Sequence, residues 1–454
     1  MKLYNTLTGE KEEFTTAGGK VRMYVCGITP YSASHLGHAM FSVVFDVVRR
    51  YLEHKGFDVK HIQNFTDIDD KMIAAANSRG ITVEELAEEN IQQYLEETDE
   101  LNVRRADQYP RATKEIPKIV SMIEGLEKEG YAYSKDGDVY FRVNRDEDYG
   151  KLSHRNAEDL LAGARVEVDE LKEDPRDFAL WKSQKPGEPA WDSPWGPGRP
   201  GWHIECSAMS MEYLGETIDI HGGGQDLIFP HHENEIAQSE SFTSRQPFAR
   251  FWMHNGLLSI GEDKMSKSTG NVISVRQALD EFSPPALRLF FLSSHYRNPL
   301  VYSPQNISAQ ERALERLRYA ANEELESAQG EVLEGGPYMD RFTEAMDDDL
   351  NTARALAVLF DLSRDINRGS EEGKTVSPAR QALRDMAEIL GIDLSEPESQ
   401  SSGDVAPFVD LLIELRSDLR NAKQFEMADQ IRDKLAELGV TLEDSAGGTG
   451  WKFG

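Results

Sequence analysis

Cysteine is nearly absent from this sequence, whose 454 residues include only Cys26 and Cys206. Two cysteines in so long a chain exclude a disulfide framework and favour a reducing, cytoplasmic setting. Long apolar runs are missing too, because even residues 41–48 are interrupted by Asp46, which argues against a transmembrane helix. The first 14 residues lack the apolar stretch of a signal peptide. We therefore expect a soluble intracellular protein with no membrane partner.

Basic residues are scarce relative to acidic ones. The chain has 50 lysines and arginines against 80 aspartates and glutamates, a formal net charge of −30 at pH 7. Such a surface repels polyanions in dilute buffer, although a local basic patch can persist within it. An acid-rich composition suits molar salt, where the screening length falls to about 3 Å. We therefore expect a halophilic organism, the alternative being an ordinary soluble acidic protein.

The first hundred residues alternate between strand and helix patterns. Residues 20–29 and 59–65 predict strands, and apolar residues recur with a helical period over residues 36–55. His35, Gly37 and His38 lie where the first strand passes into the helix. Ligands bind at this kind of junction in open α/β sheets, and the N–H groups of a helix N-terminus attract phosphate. The sequence therefore predicts an α/β fold with a ligand site at this junction.

Later segments change character along the chain. Residues 116–129 predict a helix, residues 138–143 and 177–182 predict strands, and helical patterns dominate from residue 285 onward. We therefore expect a Rossmann-like domain that is split by an insertion, then helices, a linker and a small C-terminal domain. The expected segments are residues 1–111, 112–200 (the insertion), 201–272, 273–310 (linking helices), 311–394 (a helical bundle), 395–407 (the linker) and 408–454.

A second chemical motif is the loop that carries Lys264, Ser266 and Lys267. Two lysines among small residues can move onto a triphosphate as point charges. Alone, this loop is equally typical of a solvated basic turn, and paired histidines near a helix start are often caps. Together and in this order, His35-Leu36-Gly37-His38 and Lys264-Met265-Ser266-Lys267-Ser268 resemble the two signature motifs of class I aminoacyl-tRNA synthetases. Leu36 is a conservative departure from the first motif.

The similarity extends from about residue 4 to residue 452 and is greatest to the cysteinyl-tRNA synthetase family. The segments that carry it are Cys26-Gly27-Ile28-Thr29, residues 66–71, 201–206, His221-Gly222-Gly223-Gly224 with Asp226, and residues 229–235, 345–352 and 428–433. The resemblance implies a class I Rossmann-like catalytic domain with an inserted connective domain. A C-terminal helical bundle on the anticodon side and a small tRNA-binding domain would follow it.

Two cysteines, a histidine and a glutamate form a candidate metal site. Pro230 is suited to the first turn of a helix, which would place His231 and Glu235 on one face at i and i+4. With Cys26 and Cys206 these residues match the zinc ligands of the family, which implies one Zn²⁺ per chain. The alternative is that both cysteines are simply buried hydrophobes. His232 and Glu233 are expected to point elsewhere.

The resemblance also implies roles for the remaining residues. His35, Gly37, His38, Lys264, Ser266 and Lys267 would bind ATP, which Mg²⁺ accompanies, and His35, His38, Lys264 and Lys267 would be catalytic. Thr66, Trp202, His221 and Asp226 would line the amino-acid pocket. The implied partners are ATP, L-cysteine and tRNA(Cys), and the implied state is a monomer. A thiolate on zinc would distinguish cysteine from serine.

Two other functions fit part of this pattern. A related ligase that passes cysteinyl-adenylate to a small amine would not need residues 408–454. A non-catalytic, zinc-stabilised RNA-binding paralogue would not need the histidine and lysine motifs. Within residues 408–454, Arg416, Arg420, Lys423 and Trp451 could clamp unpaired anticodon bases, or form a charged hairpin with a packed tryptophan.

Overall fold

The computed structural model describes residues 1–155, 171–260, 263–264, 272–322, 330–395, 402–445 and 448–453. The chain forms two compact units, Met1–Leu394 and Ser395–Gly454. Within the described ranges, no helix is both long and apolar enough to cross a membrane.

Unit 1 begins with alternating strands and helices. Strands β1 to β4 cover Lys2–Asn5, Glu10–Glu13, Lys20–Val25 and Asp58–Gln63, and helices α1 to α3 cover Leu36–His54, Asp70–Arg79 and Val83–Glu100. Next come α4 (Ile116–Lys128), strands β5 to β8 (Ala132–Lys135, Asp138–Phe141, Phe178–Ser183 and Gly198–Pro200) and α5 (Trp202–Leu214). The alternation resumes with β9 (Ile218–Gly224), α6 (Glu233–Thr243), β10 (Ala249–Asn255), β11 (Leu258–Ile260) and β12 (Asp263–Lys264).

The rest of unit 1 is mainly helical. Its elements are α7 (Val275–Glu281), α8 (Pro284–Leu292), β13 (Leu300–Tyr302), α9 (Pro304–Asn322), α10 (Gly336–Asp347), α11 (Thr352–Glu371) and α12 (Ser377–Ile389). Their buried apolar side chains join one core with those of α1 and β3. The sequence correctly predicts these helices, because each keeps an apolar stripe with a helical period. The helical pattern of the sequence also predicts a helix over residues 310–327, of which residues 323–327 lie outside the described residues.

A parallel sheet with the order β10-β9-β3-β4 forms the centre of unit 1. Tyr24 on β3 lies opposite Ile62 on one side and His221 on the other. The chain leaves β3 through α1 towards β4, whereas it leaves β9 through α6 towards β10 on the opposite side. The boundary between β3 and β9 is therefore a topological switch point, where α/β proteins bind ligands. This confirms the predicted Rossmann-like fold.

The insertion forms an antiparallel sheet with the order β5-β6-β7-β8. Asp136 and Gly137 link β5 to β6 with φ values of 54° and 91°. A two-residue hairpin with positive φ at both positions matches the right-handed twist of its strands, which is why Asp-Gly is favoured there. Helix α4 packs on this sheet through Ile119 and Ile123, both fully buried.

Unit 2 consists of the helical pair α13 (Ser402–Asn421) and α14 (Phe425–Glu437) and the antiparallel strands β14 (Val440–Ser445) and β15 (Gly448–Phe453). The predicted linker 395–407 is too long, because α13 already begins at Ser402. Serine there and the acidic residue that follows are typical of a helix N-terminus. The Ser-, Glu- and Pro-rich composition concealed this start.

Trp451 belongs to the small core of unit 2. It packs against Val409, Leu435 and Val440, and its Nε1 donates to Asp410 Oδ1 at 3.0 Å. Trp451 is partly buried, and Arg416 is buried. These contacts favour the packed-tryptophan interpretation of the tail over a clamp that needs both side chains exposed.

A buried ion pair ties α1 to the helical part of unit 1. Arg288 on α8 is fully buried and donates to Asp46 Oδ2 at 2.6 Å and to Leu101 O at 2.9 Å. Arg50 donates to the same carboxylate oxygen at 2.8 Å. Burial opposes ionisation of Asp46, but Arg288 and Arg50 outweigh it and lower its pKa. Helix α1, whose N-terminus carries the histidine motif, is thereby fixed to α8 by charge.

We expect Asp46→Asn to lower the free energy of unfolding by about 3–5 kcal/mol, because it leaves Arg288 buried without its counter-charge. The lowered pKa means that ionised Asp46 stabilises the fold above its unfolded-state pKa of about 3.9, and that this contribution is lost as the pH falls through the folded-state value. Urea denaturation at pH 7 measures the loss of stability in the variant, and a pH series that extends below about 3.9 follows the loss of the Asp46 contribution. The exposed Asp340→Asn on α10 is the control, and equal stability of the two variants at pH 7 would contradict the assignment.

Candidate active site and metal cluster

The two halves of the parallel sheet meet at a buried cluster of metal-ligating side chains. Cys26 directly follows β3, and His231 and Glu235 follow β9. The Cys26 Sγ lies 3.3 Å from Glu235 Oε1 and 3.6 Å from His231 Nε2. His231 Nε2 is 3.0 Å from the same glutamate oxygen. The fold thus brings these three predicted ligands together at the switch point.

The fourth predicted ligand, Cys206 on α5, lies beside the other three. Its thiol is buried near Cys26 and His231, but it is not among the ligand atoms that all lie within 4.8 Å of one another. Burial raises the pKa of Cys206, but the hydrogen bond from Cys26 and the nearby His231 outweigh it and bring that pKa to about 6. Burial and the neighbouring Cys206 raise the pKa of Cys26 well above its ordinary value. The raised pKa keeps Cys26 protonated at neutral pH, and a divalent cation could displace that proton.

His232 is a further candidate ligand that the sequence analysis placed elsewhere. Ligand atoms of Cys26, His231, His232 and Glu235 all lie within 4.8 Å of one another, and all four residues are buried. His232 Nδ1 is 2.8 Å from His254 Nε2. Its Nε2 is buried and has no hydrogen-bond partner among the described residues. An imidazole nitrogen left unsatisfied inside this cluster fits the binding of a cation.

The sequence predicts a helix from Pro230, and the backbone is helical from that residue onward, although the first turn is wider than an α-helical turn. Residues Ile228–His232 form a wide turn with extended backbone at Phe229, and α6 begins at Glu233. His231 reaches Glu235 at i+4, and His232 is also buried in the cluster. Glu233 is buried as well, and its carboxylate accepts from the backbone of Gly150 at 3.0 Å.

Glu235 is held by histidines on both of its oxygens. His221 Nε2 lies 2.8 Å from Oε2, and His231 Nε2 lies 3.0 Å from Oε1. Burial alone would raise the pKa of Glu235, but these two imidazoles lower it to about 2. Burial lowers the pKa of His231, yet Glu235 and Cys206 raise it to about 10. The carboxylate is therefore ionised at neutral pH although it is fully buried.

The predicted amino-acid pocket residues take different positions around this cluster. Trp202 stacks on His231 with ring centroids 4.3 Å apart and remains 40 % exposed. His221 is fully buried against Trp252, also at 4.3 Å. Thr66 is buried in the segment after β4, whereas Asp226 is exposed on the turn after β9. Their roles in binding an amino acid stay predictions.

The histidine motif caps α1. His35 Nδ1 accepts from the backbone of Gly37 at 3.1 Å, and His38 Nδ1 accepts from the backbone of His35 at 3.4 Å. The two imidazole rings stack with centroids 3.7 Å apart. A Cβ at position 37 would approach the His35 ring to 3.0 Å, so glycine allows this close packing. The stacked rings lie at a helix N-terminus, where an anion is favoured.

The segment that follows the lysine motif is hydrogen-bonded to the backbone around the histidine motif. Lys264 lies on β12 opposite Ser259, while Ser266 and Lys267 lie outside the described residues. Just after that loop, Ile273 O accepts from Leu36 N at 3.1 Å, and Val275 N donates to Ser34 O at 3.0 Å. The fold therefore brings the end of the lysine loop to the start of α1.

Comparison with known proteins identifies the family. Residues 13–312 match the tRNA synthetases class I (C) catalytic domain, and residues 341–395 match the DALR domain. The chain is 58 % identical to a cysteine–tRNA ligase of Dehalococcoides mccartyi, covering 100 % of this chain and 99 % of that protein. The chain belongs to the cysteine–tRNA ligase family of class I tRNA synthetases. The cysteine–tRNA ligase of Caldicellulosiruptor saccharolyticus is 53 % identical and covers 99 % of each chain.

A solved structure agrees with the fold of this synthetase family. Mycobacterium tuberculosis methionyl-tRNA synthetase, in complex with methionyl-adenylate, superimposes with a TM-score of 0.60 at 18 % identity, covering 87 % of this chain and 94 % of that chain. At this identity the likeness concerns the fold alone. The match confirms that the sequence motifs correctly predicted a class I architecture.

Gly27 is a point of close approach on which the synthetase cluster depends. A Cβ at this position would lie 1.6 Å from Asn64 O at the end of β4. We expect Gly27→Ala to cost about 1–3 kcal/mol of unfolding free energy, as overpacking does, and to displace the adjacent Cys26. Denaturation and the content of bound divalent metal after zinc dialysis measure both effects. Gly336→Ala, with no atom within 4 Å of its Cβ, is the control, and identical behaviour of the two variants would contradict this role.

Proposed function

We propose that this chain activates L-cysteine with ATP and transfers the cysteinyl group to the 3′ end of tRNA(Cys). The observation that supports this proposal most directly is the buried cluster of Cys26, His231 and Glu235 at the switch point of a class I fold. A class I fold alone accommodates many amino acids. A cluster that includes soft sulfur donors favours a substrate with a thiol, in agreement with the relatives' activity.

One Zn²⁺ per chain would be held by Cys26, Cys206, His231 and Glu235. Two thiolates, an imidazole and a carboxylate are a zinc donor set, and the unsatisfied Nε2 of His232 offers a further donor nearby. When bound, zinc supplies a Lewis acid that accepts a thiolate in preference to a hydroxyl or a methyl group, which would exclude serine and alanine.

The chain's own residues would orient the substrate around this cluster. His221 and His231 fix the Glu235 carboxylate from both sides. Trp202 covers His231 and keeps one face open to solvent, so it can close the pocket over a small amino acid. Thr66 and Asp226 would line the remaining sides. This arrangement holds the donors in place before the substrate arrives, which lowers the cost of ordering them during the reaction.

ATP would lie between the two signature motifs. The N-terminus of α1 with His35, Gly37 and His38 would hold its phosphates, while Lys264, Ser266 and Lys267 would close over the β- and γ-phosphates, with Mg²⁺ accompanying them. The cysteine carboxylate attacks the α-phosphorus and pyrophosphate leaves. A ribose hydroxyl at the tRNA 3′ end then attacks the carbonyl carbon and AMP leaves. Positioning and charge stabilisation supply most of the catalysis.

The remaining assignments rest on family membership. The DALR-type helices and unit 2 would contact tRNA(Cys), and the enzyme would act as a monomer in the cytoplasm, where its two thiols stay reduced. A ligase for a small amine would not require unit 2, and a non-catalytic paralogue would not require the two motifs. The catalytic domain would consist of residues 1–111 and 201–272, which are separated by the connective insertion of residues 112–200. The linking helices would cover residues 273–310, and the helical bundle on the tRNA side would cover residues 311–394.

Two assays on the purified chain separate these functions. Cysteine-dependent exchange of pyrophosphate into ATP reports adenylate formation, and charging of tRNA(Cys) reports transfer. We expect both activities with cysteine, and neither with serine or alanine. Exchange without charging would leave only the small-amine ligase, and absence of exchange would leave only the non-catalytic paralogue.

We expect Cys206→Ser to weaken zinc binding by more than the roughly 10- to 100-fold that loss of an outer-shell partner costs. Discrimination of cysteine against serine in the exchange assay should fall with it. Zinc titration against a chromogenic chelator measures the first effect. Glu212→Gln, on the same helix but paired with Lys118 at the surface, is the control. Full retention of zinc and selectivity in Cys206→Ser would contradict the proposed ligand set.

A further inference from the structure

A cavity of about 370 Å³ lies beside the parallel sheet, outside the predicted zinc and ATP residues. Its walls come from four segments: residues 67–68 after β4, residues 82–87 at the start of α3, residues 111–114 before α4, and residues 189–191 before β8. Small-ligand sites typically enclose about 300–1,000 Å³. The cavity is therefore large enough for one ligand of nucleotide size.

The cavity is attached to the carboxyl end of β4, next to the amino-acid pocket. Its wall residue Asp67 directly follows Thr66, and the Asp67 carboxylate accepts from Thr113 N at 2.9 Å and from Thr113 Oγ1 at 2.6 Å. Phe65 N donates to Pro110 O at 2.9 Å. These hydrogen bonds hold Arg111 and Lys114 at the same end of the sheet as Thr66, a predicted residue of the amino-acid pocket.

The walls combine a stacking surface with cations. Trp191 is the one aromatic residue in the lining, and its backbone is fixed by a hydrogen bond to Gly198 O at 2.7 Å. Arg111 and Lys114 supply positive charge; Arg111 is paired with the exposed Glu88 at 2.7 Å, a kind of pair worth little free energy. Unpaired nucleotides are bound by aromatic stacking and by cations on the phosphate.

We propose that this cavity receives one unpaired nucleotide of the tRNA 3′ end, with its base on Trp191 and its phosphate on Arg111 and Lys114. The inference rests on the proposed function, because acyl transfer requires the 3′ end to enter beside the amino-acid pocket. Asp67, whose carboxylate is bound by Thr113, and Glu84 also line the cavity, so the phosphate must lie on the side of Arg111 and Lys114. In a chain of net charge −30, a polyanion needs local cations of this kind.

Val83→Trp tests the proposal, because Val83 is half-buried in the wall and a larger side chain fills the cavity. The test compares pyrophosphate exchange with single-turnover transfer from preformed cysteinyl-adenylate to tRNA(Cys). We expect the ratio of transfer to exchange to fall about 5- to 100-fold, the equivalent of losing one base stack. The control is Val332→Trp, a valine that is 45 % exposed outside the cavity.

A second pair of measurements keeps the test decisive if Val83→Trp folds poorly. Lys114→Ala should weaken transfer and reduce its salt dependence, whereas Lys128→Ala, an exposed lysine at the other end of α4, should not. A tRNA that lacks the base at one 3′ position should be charged more slowly by the unmodified enzyme. The same tRNA should cause no further loss of transfer in Val83→Trp, because that variant already lacks the contact.

Other outcomes overturn the proposal. An equal fall of exchange and transfer would assign the cavity to the amino-acid or ATP site. An unchanged ratio in both Val83→Trp and Lys114→Ala would exclude a role in transfer. Free AMP or CMP that quenches tryptophan fluorescence, with an unchanged transfer ratio in Val83→Trp, would make the cavity a free-nucleotide site. Absence of exchange in the unmodified enzyme would instead overturn the proposed function itself.

Discussion

The ionised carboxylate of Glu235 is the interaction on which the rest of the site depends. It is fully buried, and a buried charge is costly unless hydrogen-bonded partners compensate it. His221 comes from β9 and His231 from the turn after it, while Cys26 arrives from β3. The two strands must therefore stay in register for the charge to be compensated. Folding of the sheet and assembly of the cluster are one event.

This dependence explains the close packing behind the cluster. Gly222 on β9 admits no side chain, because a Cβ there would lie 2.2 Å from the Phe45 ring on α1. Helix α1 therefore lies directly against the strand that carries His221. The middle of α1 is fixed by the Asp46–Arg288 pair. Contacts with the sheet and with the helical part of unit 1 therefore both fix the position of the histidine motif at the start of α1.

The sequence predicted the strand–helix alternation and the contact between His231 and Glu235 because both are local patterns. The approach of Cys26 to that pair was implied by the family resemblance alone. Local patterns failed where tertiary contacts decide. The turn before α6 brings His232 inward to His254, a partner on β10 that no local pattern indicates. Glu233 is buried because backbone groups from the insertion bind it. Trp451 was ambiguous in sequence because stacking on RNA and packing in a core require the same residue type.

The charge balance gives the chain a second constraint. Several arginines at its surface are paired with acids, such as Arg105 with Asp99 and Arg276 with Glu100. Because these arginines are paired, the surface carries a surplus of negative charge. A tRNA partner must therefore bind where several lysine or arginine side chains lie close together. Adaptation to molar salt, where screening shortens the range of repulsion, stays a prediction from composition.

The most direct test of the central claim is zinc X-ray absorption on the chain with and without cysteine. Two sulfur ligands at about 2.3 Å are expected for the zinc-loaded protein, from Cys26 and Cys206. Addition of cysteine, but not of serine, should raise the number to three. A sulfur count that does not change with cysteine would contradict the account.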